Sequence, residues 1–377
     1  MREMVVDLDA IRENVRALAA QVAPARLMAV VKADAYGHGL VPVARAMAEA
    51  GADEFGVVDI EEARRLRQAG IAQPILAWIH GRDADFGWAV SSAVELGIGA
   101  VAQLDRVALA AAEVQAFARR AGAEVRPAVV HLKADTGLGR GGALGDEWRE
   151  LVGRAAQHQD AGTILVRGVW THLANASDEA DQAQFLAFDD AVALARSVGL
   201  SPEIEHAASS ASMVSHPDQH RGMVRAGLAL YGLSTFPGRS AASLGLRPAM
   251  ELAGEVVSVK RVPAGLGVSY GHRYVTERET TLALVPLGYA DGLPRAATGR
   301  APVWLNGRRY TIAGTIAMDQ VVVDVGDDAV QVGDRAVLWG DPARGYPTAE
   351  EWAAAAGTIP YEIVTGVGPR VQRRTAR

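Results

Sequence analysis

Short apolar runs alternate with amphipathic stretches from about residue 27 onward. The amphipathic stretches repeat apolar residues three and four positions apart and are rich in Ala, Leu, Glu and Arg, which is typical of helices. The apolar runs cover residues 27–32, 54–60, 74–79, 97–101, 125–133, 164–172, 203–207 and 223–226, and the helical stretches include 41–50, 60–70, 106–122 and 181–199. Continuous apolar strands that alternate with helices indicate a parallel sheet covered by helices.

Eight such units within about 200 residues predict an α/β fold, a (β/α)8 barrel of the TIM type, over residues 1–233. An open, doubly wound sheet is the alternative. In its dinucleotide-binding form that fold carries a Gly-x-Gly-x-x-Gly turn after the first strand, and no such turn follows residues 27–32. The pattern therefore favours the barrel.

The pattern changes after residue 233, and residues 234–377 are predicted to form a mostly-β C-terminal domain. A stretch rich in Gly, Pro and Ser at 234–245 indicates a linker. Alternating β-type runs follow at 254–262, 280–286, 302–305, 310–316, 321–325 and 336–339. Asn306-Gly307 predicts a two-residue hairpin, and Thr348 with Glu351 forms a capping box that opens a short helix.

Composition narrows the functional class. The net charge is −6 and the isoelectric point is near 5.9, which argues against a nucleic-acid partner. The chain has no cysteine, so it can form neither disulfides nor thiolate metal sites, and we expect no metal. No leader-like or membrane-spanning apolar run occurs in the sequence. Together these features predict a cytoplasmic protein with no membrane partner.

Lys32 stands out because lysine is rare in this chain. The sequence holds three lysines, Lys32, Lys133 and Lys260, against 35 arginines. A desolvated lysine can lose its proton and act as a nucleophile, whereas arginine stays protonated. Lys32 is the last residue of the first apolar run. In a barrel, the C-terminal ends of the strands form the catalytic face. Lys32 is therefore a candidate Schiff-base residue.

Motifs in order along the chain resemble those of the alanine racemases, which are pyridoxal 5'-phosphate (PLP) enzymes with a barrel and a β domain. The segment at 30–39, Val-Val-Lys-Ala-Asp-Ala-Tyr-Gly-His-Gly, resembles their cofactor-lysine motif. Further resemblances lie at 5–11, 131–140, 224–232, 268–271, 286–295 and 317–320. A single motif could mislead, but this ordered series covers nearly the whole chain.

The resemblance implies a two-base racemisation of alanine that supplies D-alanine for peptidoglycan. Lys32 would hold PLP and act on D-alanine, and Tyr270 would act on L-alanine. A tyrosine with an ordinary pKa near 10 is a poor base at neutral pH unless positive charge lies nearby. His172 and Arg225 are the family's partners for that tuning, and Arg225 is also implied to face the pyridine nitrogen.

The same resemblance implies further binding residues. Tyr36, Ser210, Gly227 and Leu228 would bind the cofactor phosphate. Some relatives have another tyrosine near the C-terminus where this chain has Pro369, so that contact is absent here or replaced.

Arg140 and the backbone amide of Met318 would bind the substrate carboxylate. Lys133 matches a lysine that is carbamylated in some members and orients the arginine. Ala317 stands where some relatives have cysteine, so a thiol is not required.

The implied assembly is a homodimer in which Tyr270 and Met318 reach the partner's site. Four alternatives stay open at this point: a serine or broad-specificity racemase, a barrel-type decarboxylase, a PLP-carrying homeostasis protein, and a cofactor-free Schiff-base aldolase. The β-domain motifs argue against the homeostasis protein, and Tyr270 with Arg225 argues against the decarboxylase.

Overall fold

A computed structural model describes residues 1–236 and 238–376, so Pro237 of the expected linker and Arg377 lie outside the described residues. The chain divides into two compact units. The barrel unit comprises Val15–Ala35 and Met47–Gly227, and the β unit comprises Met1–Asn14, Tyr36–Ala46 and the chain from Leu228 onward. The predicted boundary at 233/234 stays a prediction.

Eight parallel strands form the barrel unit's sheet, which confirms the predicted fold class. Strand β1 (Arg2–Asp7) belongs to the β unit. The eight barrel strands are β2 (Arg26–Val30), β3 (Glu54–Val57), β4 (Ile75–Ala77), β5 (Val94–Ile98), β6 (Ala128–Lys133), β7 (Ile164–Trp170), β8 (Ile204–His206) and β9 (Met223–Ala226). Their order is β8-β7-β6-β5-β4-β3-β2-β9, with each neighbouring pair parallel. Gly222 N donates to Glu205 O at 3.1 Å and Arg225 N to Ala208 O at 3.0 Å, so the sheet is nearly closed.

Helices separate the strands at the places where amphipathic periodicity predicts them. The helices are Leu8–Val22, Leu40–Glu49, Ile60–Gln68, Phe86–Ser91, Val101–Ala121, Asp146–Asp160, Asp178–Ser197, Ser210–Ser215, Ala349–Ala356 and Pro360–Thr365. Side-chain caps fix several N-termini, because they satisfy backbone N–H groups that have no partner within the helix. Asp59 accepts from Glu62 N at 2.9 Å and Thr348 accepts from Glu351 N at 3.2 Å, which confirms the predicted capping box.

The fourth barrel strand lies three residues earlier than predicted. The run at 97–101 was expected to be a strand, but β5 is Val94–Ile98 and a helix begins at Val101. The reason is Glu95, a charged residue that interrupts the apolar pattern and yet is buried, hydrogen-bonded to His131 and Arg167. A buried carboxylate with two such partners is tolerated in a strand.

The β unit contains a nine-stranded sheet and a small two-stranded one. Its strands are β10 (Met250–Glu255), β11 (Ser258–Val262), β12 (Gly267–Val268), β13 (Tyr274–Val275), β14 (Thr280–Val285), β15 (Pro302–Leu305), β16 (Arg308–Ala313), β17 (Val321–Gly326), β18 (Arg335–Trp339) and β19 (Gln372–Ala376). The larger sheet has the order β11-β14-β17-β16-β15-β18-β10-β1-β19. Strand β1, from the start of the chain, thus lies between two C-terminal strands.

The predicted hairpin joins β15 and β16. Asn306 and Gly307 adopt φ angles of 48° and 86°, as a two-residue type I′ turn requires. The single run expected at 254–262 is in fact the end of β10 and the whole of β11. No helix among the described residues is long and apolar enough to cross a membrane.

Gly232 tests how tightly the β unit packs. Its φ is 71°, and an added Cβ would overlap the Arg247 carbonyl. Gly245 has the same φ of 71° with nothing near its Cβ position, so it is a matched control. We expect Gly245→Ala to cost about 1 kcal/mol from backbone strain and Gly232→Ala about 3 kcal/mol or more from the added clash. Guanidinium unfolding followed by circular dichroism measures both, and equal losses would contradict the packing described here.

Candidate active site

Lys32 opens a left-handed turn just after β2. Ala33, Asp34 and Ala35 have φ angles of 54°, 55° and 55°, a conformation that costs non-glycine residues roughly 1–2 kcal/mol each. The neighbouring helix stabilises the turn, because Glu62 accepts hydrogen bonds from Ala33 N at 2.7 Å and Val58 N at 2.9 Å. The turn therefore fixes the lysine at the C-terminal end of a barrel strand, as predicted for a catalytic position.

The Lys32 amine is easier to deprotonate than an ordinary lysine. Burial lowers its pKa most, and the positive charges of Arg140 and Arg225 lower it further. The negative charge of Glu62 raises the pKa but does not cancel this lowering. A neutral amine is the form that attacks a carbonyl carbon.

Arg225, on β9, is buried and hydrogen-bonded to three backbone carbonyl groups. It is 4% exposed. Its Nη1 donates to His206 O at 2.8 Å, and its Nη2 donates to Thr171 O at 2.7 Å and Ala207 O at 3.0 Å. Burial lowers its pKa to about 9, so the guanidinium is still charged at neutral pH. Its Nε–H donates to no residue in the described part of the chain.

His172 lies beside this cation and is neutral. Arg225 Nη2 donates to His172 Nδ1 at 3.3 Å. Burial lowers the His172 pKa to about 3, helped by the charges of Arg225, Arg140, Lys133 and Lys32. Because Nδ1 accepts, the neutral ring carries its proton on Nε2.

The Trp170 ring contacts Lys133, Arg225 and His206. Lys133 Nζ lies 4.8 Å from a Trp170 ring centroid and the Arg225 guanidinium carbon 5.1 Å from it. The His206 ring stacks on Trp170, with centroids 5.7 Å apart and an interplanar angle of 3°. The ring faces attract the cations and fix the plane of the imidazole.

Lys133 ends β6 and shares its surroundings with Arg140. Burial lowers the Lys133 pKa to about 8, and the charges of Arg140 and Arg225 contribute. The loop that carries Arg140 is held by Asp135, whose carboxylate accepts from Gly137 N at 3.0 Å and Gly139 N at 3.1 Å. The loop is thus ordered by one carboxylate that gathers backbone N–H groups.

Ser210 and Gly227 meet after β8 and β9. Gly227 N donates to Ser210 Oγ at 2.8 Å, and Ser210 is the first residue of helix Ser210–Ser215. Because Ser210 Oγ accepts from the Gly227 amide, the hydroxyl hydrogen points away from that amide and can donate to another group. A hydroxyl donor at a helix start is typical of phosphate binding.

The remaining predicted residues belong to the β unit. Tyr36 packs against Tyr231, with ring centroids 4.8 Å apart, and Tyr231 lies in the short turn that begins at Leu228. Tyr361 is also near, with its centroid 6.0 Å from that of Tyr36, and burial raises its pKa. Tyr361 was not among the predicted cofactor residues, although the sequence has proline, not tyrosine, at position 369.

Tyr270 and Met318 lie on two loops that are tied together. Thr315 Oγ1 donates to Tyr270 O at 2.8 Å, and Ser269 Oγ donates to Thr315 O at 2.7 Å. Tyr270 is 73% exposed and Met318 is 52% exposed. The Met318 N–H has no acceptor among the described residues. Two large side chains and a backbone donor are therefore presented to the outside of this unit.

The structure thus brings seven predicted residues together in the barrel unit, namely Lys32, Lys133, Arg140, His172, Ser210, Arg225 and Gly227. Tyr36, Leu228, Tyr270 and Met318 belong to the β unit. Trp170 and His206 were not predicted. They are the last residues of β7 and β8, and a barrel places functional side chains at the C-terminal ends of its strands.

Known proteins match this chain over nearly its whole length. A family model described as "Alanine racemase, N-terminal domain" matches residues 6–235, and "Alanine racemase, C-terminal domain" matches residues 249–375. An alanine racemase of Thermobifida fusca is 49% identical over 375 residues, which is 98% of this chain and 97% of the relative. One of Frankia casuarinae is 50% identical over 374 residues, 98% of this chain and 95% of the relative.

Solved structures agree with this similarity. The crystal structure of an alanine racemase from D-cycloserine-producing Streptomyces lavendulae superposes with a TM-score of 0.95 at 49% identity, covering 100% of this chain and 97% of the other. An alanine racemase from Streptomyces coelicolor gives a TM-score of 0.94 at 46% identity, covering 100% and 98%.

Proposed function

Because this chain belongs to the alanine racemase family, and is an amino-acid racemase of the isomerase class, we propose that it interconverts L-alanine and D-alanine with PLP as its cofactor. The observation that carries this proposal is the position of Lys32 directly after the C-terminal end of β2, beside the strand β9 that holds the buried Arg225. We further propose that the D-alanine supplies peptidoglycan synthesis and that the enzyme works in the cytoplasm.

The donors at the predicted cofactor positions fit PLP. Lys32 would bind the cofactor through its amine, and the free Arg225 Nε–H is a donor suited to an unprotonated pyridine nitrogen. The Ser210 hydroxyl, the Leu228 amide and the Tyr36 phenol would hold the phosphate, and the Gly227 amide would hold Ser210 Oγ, to which it donates at 2.8 Å, or exchange that acceptor for a phosphate oxygen. Tyr361, which packs near Tyr36, is the candidate replacement for the tyrosine that is absent at Pro369. PLP bound there supplies an electron sink that acidifies the α-hydrogen of an amino acid.

Two bases would move the α-proton. Lys32 Nζ would remove or return it on the D-alanine side, and the phenolic oxygen of Tyr270 would do so on the L-alanine side. His172 supports the tyrosine, because its Nδ1 accepts from Arg225 and its Nε2–H remains to donate to the phenolic oxygen. The positive charge behind His172 is that of Arg225, since the imidazole itself is neutral.

The substrate carboxylate suits Arg140 together with the unused Met318 N–H. Lys133 has a pKa of about 8, so a large fraction of its amine is neutral near pH 8, the form that reacts with carbon dioxide. We propose that Lys133 is carbamylated and that the new negative charge orients Arg140. A carbamate would also exchange a buried cation for an anion among several positive groups.

We propose that the enzyme is a homodimer that shares its active sites. The support is the exposure of Tyr270 (73%) and Met318 (52%) on linked loops. Large side chains on such a surface indicate an interface. Each subunit would then complete the partner's site.

The proposed reaction is tested by a chiral product assay over a panel of L-amino acids with added PLP. We expect either alanine enantiomer to become a racemic mixture, and other amino acids to react more slowly. Lys32→Ala should abolish both racemisation and the visible absorbance of the bound cofactor. Failure to bind PLP, or a faster reaction with serine than with alanine, would contradict the proposed function.

Tyr270→Phe tests the two-base assignment. The variant removes only the phenolic oxygen, so we expect exchange of the α-hydrogen with deuterated water to fall by about 100-fold or more from L-alanine, and much less from D-alanine. Equal loss in both directions would contradict the assignment. Tyr310→Phe is the matched control, because it also removes one phenolic oxygen from the β unit, and that oxygen donates to Asp328 at 2.7 Å and has no proposed role.

The same variant tests the shared site. Lys32→Ala and Tyr270→Phe subunits, each inactive alone, should recover roughly a quarter of wild-type activity when co-expressed, because each hybrid dimer keeps one intact site. Lack of recovery in purified hybrids would contradict donation of Tyr270 to the partner.

A further inference from the structure

The interior of the barrel unit holds a line of buried polar side chains that starts at Arg225 and leads away from the proposed cofactor site. Arg225 Nη1 lies 3.0 Å from His206 Nδ1, and His206 Nε2 lies 2.9 Å from His131 Nδ1. His131 Nε2 lies 2.7 Å from Glu95 Oε2. His206 and His131 are both 0% exposed, and Glu95 is 7% exposed.

The two ends of this line fix the proton on every nitrogen within it. Arginine can only donate, so His206 Nδ1 must accept and its proton must lie on Nε2. His206 Nε2–H then donates to His131 Nδ1, which places the His131 proton on Nε2. That proton faces Glu95, and an ionised carboxylate can only accept. No other assignment of neutral rings satisfies all three hydrogen bonds.

We propose that His206, His131 and Glu95 form a one-directional hydrogen-bond relay that holds Arg225 in place as a charged guanidinium. They are positioning residues, since Arg225 alone would touch the cofactor. The inference deepens the proposed function and rests on it for the role of Arg225.

The surrounding structure keeps both imidazoles in this orientation. A Cβ on Gly168 of β7 would overlap the His131 ring, so glycine provides the space that the ring occupies. Trp170 stacks on the His206 ring and fixes its plane. At the far end Arg167 binds Glu95 Oε1 at 2.7 Å and Glu54 Oε1 at 2.5 Å. Burial raises the Glu95 pKa, and the hydrogen bond from His131 and the charge of Arg167 act to lower it. Arg167 Nη1 lies 2.7 Å from Oε1 and 2.8 Å from Oε2, and this ion pair stabilises the ionised carboxylate.

The relay explains how a buried cation is stabilised although no carboxylate of residues 1–236 or 238–376 forms an ion pair with it. A carboxylate bound directly to Arg225 would neutralise the guanidinium near the pyridine ring. Here two neutral imidazoles separate the opposite charges, and aligned hydrogen bonds of this kind polarise one another. Arg225 therefore keeps its charge on the side that faces the proposed cofactor.

The wild-type protein tests the relay without reference to activity. We expect 15N NMR of histidine-labelled protein at neutral pH to show His206 and His131 both protonated on Nε2 and unprotonated on Nδ1. Assignment would use loss of each signal in His206→Gln and His131→Gln. Protonation of either residue on Nδ1, or on both nitrogens, would overturn the proposal. This readout stands even if the protein proves not to be a racemase.

A pair of variants tests whether the relay acts on the site. His131→Gln keeps one acceptor and one donor, whereas His131→Leu has neither. We expect Leu to lower kcat/KM for alanine by about 10-fold or more and to shift the visible absorbance of bound PLP, and Gln to stay within about 3-fold of wild type. His158→Leu is the matched control, since it removes an imidazole bound at 2.8 Å to Asp105 on the outer helices and should leave both readouts unchanged.

Two results would overturn the role of the relay. One is a His131→Leu enzyme that folds, as judged by circular dichroism, and keeps wild-type kcat/KM and absorbance. The other is a Gln variant as impaired as the Leu variant, which would point to packing and not to hydrogen-bond direction. If the Leu variant does not fold, the tautomers measured in the wild type decide the question.

Discussion

The buried guanidinium of Arg225 is the constraint on which the rest of the site depends. A charge removed from water must be stabilised by hydrogen bonds within the protein. Three carbonyls supply them, at Thr171, His206 and Ala207, from the ends of β7 and β8. Because those strand ends are part of the barrel sheet, the position of the cation is as rigid as the barrel. The two imidazoles that accept from Arg225 are oriented by the same contact.

Burial and then nearby positive charge lower the pKa of the neighbouring groups. Lys32, Lys133 and His172 are all buried near Arg225 and Arg140, and the pKa of each is lowered. The lowered values make the lysines available as amines and leave the imidazole neutral. The catalytic proposal needs both effects, since Lys32 must be able to accept a proton and His172 must be able to donate a hydrogen bond. One buried cation contributes to both.

The sequence predicted the positions of the barrel strands well, because a strand buried on both faces is a continuous apolar run. It also predicted Lys32 at a strand end, since the run stops there. Glu95 displaced one predicted barrel strand, because a charged residue ends an apolar run unless its partner is known. That partner, His131, lies 36 residues away, and His206 lies a further 75 residues along the chain. Contacts over such separations leave no local pattern. The pairing of β1 with β10 and β19 was missed for the same reason.

The protonation state of His172 shows whether the positive charge of the site resides on Arg225 or on the imidazole. The measurement is 15N NMR of His172 in the histidine-labelled protein between pH 8 and pH 5. A pKa lowered to about 3 predicts a neutral ring throughout, unprotonated on Nδ1 and protonated on Nε2. A ring that gains its second proton near pH 6.5, the ordinary value for histidine, would contradict the account.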